Sequence, residues 1–262
     1  MTQEIYFDMN VIINYIQFYT NSNHQHKNIT KKINYLIKNT KNIYPYSPAH
    51  IEEIAVIERK AKSQRLAKKY INTNLKIISK ISNDYEYLPT NNGIIIKKEN
   101  PNICFDRVIE DYKTTTLIAE ELEYKKVKKW KSINLGIDFS TINPQNIFQN
   151  EQILNELKKS LYPISIPKYF DIKENFYEIE RIFEHIFDFL DNIGYQNDKK
   201  VYKNEKYRSR MHDITHGIYA TKASIFVTSD NNLKNKLNAI YSLLEIPTQI
   251  ILEKDFVLNK IN

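Results

Sequence analysis

Four acidic residues stand at, or within two helical turns of, points where this 262-residue chain should pass from one element to the next. Asp8 follows the short apolar run Glu4 to Phe7, and Asp230 follows Ser224 to Val227 and Thr228-Ser229. Glu53 lies on a helix opened by Ser47-Pro48, with Glu52 beside it as the alternative if the helix phase is off by one. Asp213 lies one turn into a helix expected over 210–222. If the strands run parallel, Asp8, Glu53, Asp213 and Asp230 converge at one edge of the sheet. Carboxylates gathered there without a nearby arginine repel and raise one another's pKa. Hard divalent cations relieve that repulsion through oxygen ligands. Asn10, Thr228 and Ser229 are short polar residues beside Asp8 and Asp230, suited to hydrogen-bond the carboxylates. Each acid also has a plain structural role. Asp8 and Asp230 can cap helices, and Glu52 and Glu53 suit a helix N-terminus. Asp213, inside a helix, is the hardest to explain that way.

A second constellation is His212 and His216, at i and i+4 on one helix face. The spacing suits zinc, with Asp213 where a metalloprotease motif has Glu, but the chain offers no evident third ligand. The other reading packs these histidines beside the carboxylates. Cys104 is the only cysteine, which excludes an internal disulfide and any multi-cysteine zinc site. Gly93, Gly136, Gly194 and Gly217 are scattered, so neither a phosphate-binding P-loop nor a dinucleotide loop is present.

The elements that must position these groups follow from periodicity. Glu4–Phe7, Ile43–Tyr46, Ser224–Val227 and Thr248–Leu252 are short apolar runs of the kind found in buried parallel strands. Val11, Ile12, Tyr15 and Ile16 define a helix after the first strand. Leu233, Leu237, Ile240 and Leu244 define another, capped by Asp230 and stopped before Pro247. The fold class is therefore α/β, with a central, mostly parallel sheet flanked by helices in three layers. Residues 1–70 and 205–256 form its core. Residues 71–204 read as a mainly helical insertion into one elaborated domain, with a hairpin pairing Tyr85–Leu88 and Gly93–Ile96 and helices over 104–131, 150–160 and 171–193.

IYFDMNVII at the start, SPAHIEEI in the middle, then MHDITHGIYA and IFVTSDNNL together resemble the PIN-domain family of ribonucleases. That resemblance implies a three-layer PIN-like fold in which Asp8, Glu53, Asp213 and Asp230 bind one or two Mg²⁺ or Mn²⁺ ions. The implied activity is endonucleolytic hydrolysis of RNA. Stand-alone bacterial members of the family are often toxins held by an antitoxin, or nucleases of phage defence. An antitoxin or defence-system protein is thus an implied partner, and a homo-oligomer stays open. Two other classes also stay open: a catalytically silent RNA- or protein-binding module, and a zinc hydrolase using His212 and His216.

Net charge is +7, which fits a polyanionic partner. Richness in Asn, Lys, Ile and Tyr also suggests an AT-rich coding sequence, so charge alone argues weakly. Basic residues concentrate after Glu53, where the helix is expected to continue through residue 70 and carry Arg59, Lys60, Lys62, Arg65, Lys68 and Lys69. They form either a solvated face or a ridge that tracks RNA phosphates towards the acids, with Arg59, Lys62, Arg65, Lys68 and Lys69 as the binding set. Trp130 and the tyrosines can stack on bases or serve ordinary packing. No basic leader opens the chain and no apolar run is long enough to span a membrane, so a cytoplasmic protein with no membrane partner is expected.

Overall fold

The structure is a computed structural model. It describes residues 2–21, 26–39, 41–60, 62–111, 133–196 and 206–258, with residues 118, 121, 122 and 125 between the third-last and second-last of these segments. Trp130 and most of the helix expected over 104–131 lie outside the described residues, as does the side chain of Arg59.

Three short strands form the centre: β1 (Ile5–Phe7), then β4 (Ile225–Thr228) and β5 (Gln249–Leu252) late in the chain. They pair in the order β1-β4-β5, and both pairings are parallel. Nearly every strand residue is buried, so both faces must be covered. Alternation divides the side chains between two apolar clusters. Tyr6, Phe226 and Ile250 enter one, while Ile5, Phe7, Ile225, Val227 and Ile251 enter the other. The two clusters are thus the two faces of one sheet.

Helices follow in chain order. α1 (Met9–Asn21) leaves β1 directly, α2 (Lys27–Asn39) follows, and α3 (Pro48–Lys60) carries Glu53. α4 (Gln64–Ser82) and α5 (Pro101–Asp111) flank the antiparallel hairpin β2 (Tyr85–Thr90) and β3 (Gly93–Lys98). Later come α6 (Glu151–Leu161), the single turn α7 (Tyr169–Ile172) and the long α8 (Phe176–Asn192). α9 (Lys206–Ala220) precedes β4, α10 (Asn231–Leu244) joins β4 to β5, and α11 (Glu253–Leu258) closes the described chain. α8 buries Ile179, Ile182, Phe183, Ile186 and Leu190, the stripe its 3.6-residue period predicts.

The α/β class with a parallel sheet is as expected, and two sequence-level details change. Residues 43–46 make only isolated parallel bridges, Glu4 to Ile43 and Tyr46 to Glu86. Those bridges run from β1 on one side to the hairpin on the other. The helix bearing Glu53 does not continue through residue 70, because a new helix begins at Gln64, capped by Ser63. Two 3₁₀ turns, Phe139–Thr141 and Pro144–Gln149, fall between the helices expected over 104–131 and 150–160. Gly93 is required where it stands. Its φ is +90°, and a Cβ there would lie 2.2 Å from the carbonyl oxygen of Lys173, which packs on the hairpin turn. Among the described residues, no helix is long and apolar enough to cross a membrane.

Candidate functional site

The acids gather where the strands end. Asp8 is the residue after β1, and its amide donates to the carbonyl of Val227, so the β1-β4 ladder carries it into place. Its own carbonyl accepts from Val11 and Ile12 in the first turn of α1. Asp8 is 3% exposed. Thr228 Oγ1 donates to its Oδ2 at 2.7 Å, and Asn10 Nδ2 approaches the same oxygen at 3.5 Å. Thr228 also accepts from the amide of Asp230 at 3.0 Å. One hydroxyl therefore ties the end of β1 to the start of α10. Asp230 caps α10 through Oδ1, which accepts from Asn232 at 2.7 Å and Leu233 at 3.0 Å.

Asp213 lies two turns into α9, deeper than expected, and lines a small cleft with Asp230. Burial pushes its carboxyl well above the usual range, and the charges of Asp8, Asp230 and Glu53 push it further. Burial also raises Asp8, with Glu53 adding to the rise and His216 opposing it. The four carboxylates are electrostatic neighbours. Cations are closer to them than the sequence suggested. Lys236 and Arg210 line the same cleft as Asp213 and Asp230, and Lys236 lowers the Asp213 pKa. Both are tied to other acids: Arg210 Nε donates to Asp191 at 2.6 Å and its other end to Asp188, while Lys236 donates to Asp191.

Glu53 is held from the opposite side. His216 Nε2 donates to its Oε1 at 2.9 Å. Nδ1 of His216 lies 2.8 Å from the Tyr6 hydroxyl, and that hydroxyl lies 2.6 Å from Ser47 Oγ. Ser47 Oγ is 3.2 Å from Nδ1 of His50, which also accepts from the Ser47 amide at 3.0 Å. His50 Nε2 is 2.7 Å from the carbonyl of Phe7, and a carbonyl can only accept. His50 is therefore neutral, protonated on Nε2. Burial first, and the neighbouring His216 second, push its pKa down to about 3. Burial disfavours the charged form of His216, yet Glu53 and Asp8 outweigh it and raise its pKa. Its Nε2–H donates to Glu53, and its Nδ1 meets the Tyr6 hydroxyl. Glu53 is lowered correspondingly: burial would raise it, and the His216 bond, with His212, prevails. Tyr6, Ser47, His50 and His216 are all buried, so the relay is sealed beneath the sheet edge with only half-buried Glu53 emerging.

Other candidate residues separate from this group. Ser229 donates not to the acids but to Glu253, the residue after β5, which also accepts from Asn14 at 2.7 Å. Glu52 Oε2 stands 4.0 Å from His212 Nδ1, so the histidine pair of α9 faces the glutamate pair of α3. Both ring nitrogens of His216 are occupied, which leaves no lone pair for zinc in this arrangement. Among the described residues, no three His, Cys, Asp or Glu side chains form a group able to hold a metal ion as they stand. Lys62, Arg65, Lys68 and Lys69 are all exposed, and they sit across the break at Ser63 rather than on one helix. Sequence reasoning missed Tyr6, His50 and Glu253. A histidine three residues after Ser47 was visible in SPAHIEEI, but nothing local showed that it would turn inward. No protein-family model, curated protein or solved structure matches the chain.

Proposed function

We propose that the protein is a PIN-like, metal-dependent endoribonuclease whose acidic site is Asp8, Glu53, Asp213 and Asp230. The observation that carries the reading is the gathering of acids where β1 and β4 end: Asp8 and Asp213 are raised first by burial and then by neighbouring carboxylates, Glu53 acting on Asp8, and Asp8, Asp230 and Glu53 acting on Asp213. Open α/β sheets bind ligands at that edge. The donor set is all hard oxygen, the chemistry Mg²⁺ or Mn²⁺ prefers; Asp213 lines a cleft and Glu53 is half-buried. Asp8, Asp213, Asp230 and Glu53 would hold the ion or ions, though as they stand they are not spaced to do so. A bound cation of this class supplies charge neutralisation and a water of lowered pKa. Thr228 holds the Asp8 carboxylate in place and couples it to Asp230. His216 orients Glu53. Asn10, exposed beside Asp230 along a shallow depression, is placed to meet substrate or solvent at the rim. Lys62, Arg65, Lys68 and Lys69 supply phosphate contacts that give affinity without sequence information. An antitoxin or defence-system partner belongs to the same reading, as does a cytoplasmic setting.

Cleavage and binding of one RNA, measured separately in Mn²⁺ and in EDTA, test it. Asp8→Asn keeps the shape and removes a negative ligand, so cleavage should disappear while binding persists or strengthens. Lys68→Gln with Lys69→Gln should weaken binding and flatten its salt dependence, leaving cleavage at saturating RNA nearly intact. An Asp8→Asn protein that cleaves like the parent would end the reading of Asp8 as a metal ligand, and a parent that binds RNA but cleaves none in Mn²⁺ would favour the silent RNA-binding module.

A further inference from the structure

A broad groove lies away from the acids, between the C-terminal half of α1, the end of α3 and the first half of α4. Its volume is about 750 Å³. Ile16, Ile57 and Ala67 make its floor apolar, and Lys62 and Lys69 stand exposed along it. Within it lies one anomaly. Asn74 is 1% exposed, and among the described residues neither its Oδ1 nor its Nδ2 has a hydrogen-bond partner. A buried amide with both ends unsatisfied is strongly disfavoured, and such groups usually mark a missing partner. One helical turn before it on the same face, Tyr70 is 44% exposed.

We propose that this groove is a nucleobase pocket, in which the Asn74 amide reads the edge of one unstacked base, with adenine preferred. Three features select this occupant. An amide presents a donor and an acceptor side by side, the pattern that pairs bidentately with the N6 and N7 edge of adenine. An exposed tyrosine ring beside an apolar floor offers a stacking surface for a base. Two lysines at the opening match the charge of the attached phosphate. A lipid tail would satisfy the floor but leave the amide unpaired, and a metal ion would find no carboxylate among the described lining residues. The inference shares the nucleic-acid partner of the reading above but uses none of its acidic residues. Gln17 lies nine residues after Asp8, mostly along α1, so the pocket stands about 13 Å from the sheet edge at 1.5 Å per residue. A short RNA strand can span both, which would place the bound base a fixed distance from the cleaved bond.

The test is calorimetric titration of the full chain, in EDTA, with adenosine, guanosine, cytidine and uridine 5′-monophosphates and with ribose 5-phosphate. Adenosine monophosphate should bind saturably and at least fivefold more tightly than the other three, and ribose 5-phosphate should not compete. Asn74→Leu removes the amide at similar volume. It should lose at least tenfold in affinity for adenosine monophosphate and melt at a higher temperature, because the unsatisfied pair is gone. Tyr70→Ala should lose affinity with little change in melting. Equal binding of all four nucleotides, competition by ribose 5-phosphate, or an Asn74→Leu protein that binds like the parent or melts lower would overturn the proposal. Because no metal is present, these results are independent of the Asp8→Asn cleavage assay, and either idea can fail without the other.

Discussion

His50 gives the buried relay a measurable signature. Its ring is sealed, neutral and fixed as the Nε2–H tautomer by Phe7 on one side and the Ser47 amide on the other. Its pKa falls from the usual 6.5 to about 3 in the folded protein. A base depressed by folding contributes full stability above its unfolded pKa. It loses that contribution as pH falls, because the unfolded chain takes up a proton that the folded chain refuses. Between pH 6.5 and pH 5 the loss is 1.5 pH units at 1.36 kcal/mol each, or about 2 kcal/mol. Other buried groups act in the opposite sense. Asp8 and Asp213 are raised by folding, so they add stability on acidification, and the raised His216 contributes fully below its unfolded pKa. The His50 contribution therefore has to be read as a difference. His50→Asn keeps an acceptor for the Ser47 amide and removes the titration. It should begin about 1–3 kcal/mol less stable, since the Phe7 carbonyl loses its donor. Urea unfolding of both proteins at pH 7 and pH 5 gives two changes in stability. The parent should lose about 2 kcal/mol more than the variant on acidification. Equal pH slopes, or a parent that gains relative to the variant, would refute the neutral, sealed assignment and with it the direction of the relay.

Three further outcomes follow from named contacts. His216→Gln can still present an N–H near the position of Nε2, whereas His216→Asn reaches only towards Tyr6; cleavage should fall about 10–100-fold in the Asn variant and less in the Gln variant, in kcat rather than KM, if His216 positions Glu53. Arg210→Met removes the guanidinium from Asp188 and from Asp191, which is buried in the cleft wall, so unfolding by urea should show a loss of about 3 kcal/mol or more, with Lys236 still paired to Asp191. Gly93→Ala forces a side chain into positive φ and onto the Lys173 carbonyl, and should cost more than the roughly 1–2 kcal/mol of the backbone conformation alone, read as a lower urea midpoint at unchanged slope.

What the sequence disclosed and what it concealed divide along the range of the interactions. The strands announced themselves because both faces of a parallel sheet are buried, so Ile5–Phe7, Ile225–Thr228 and Gln249–Leu252 are short, nearly unbroken apolar runs. Asp230 was legible as a cap because its bonds to Asn232 and Leu233 are local. The break between α3 and α4 was hidden because RKAKSQ contains neither Gly nor Pro; the only local sign was Ser63, whose hydroxyl accepts from Leu66. The compensation of the acids was hidden for a different reason. Arg210 and Lys236 meet Asp191 across 19 and 45 residues, and no spacing rule joins them. The relay from Phe7 through His50, Ser47, Tyr6 and His216 to Glu53 spans three elements and up to 210 residues in one bond. Tyr6 shows why such a group escapes pattern reading. By alternation it belongs to the sheet face opposite Ile5 and Phe7, and its ring does pack there against Phe226. Only its hydroxyl, at the far end of an apolar body, reaches the polar network, so hydrophobic periodicity places the residue correctly and says nothing of its bond. A polar site assembled at the edge of a buried sheet will tend to be half visible in this way. Its strand-end carboxylates follow from local rules, while the groups that set their charge state arrive through tertiary packing.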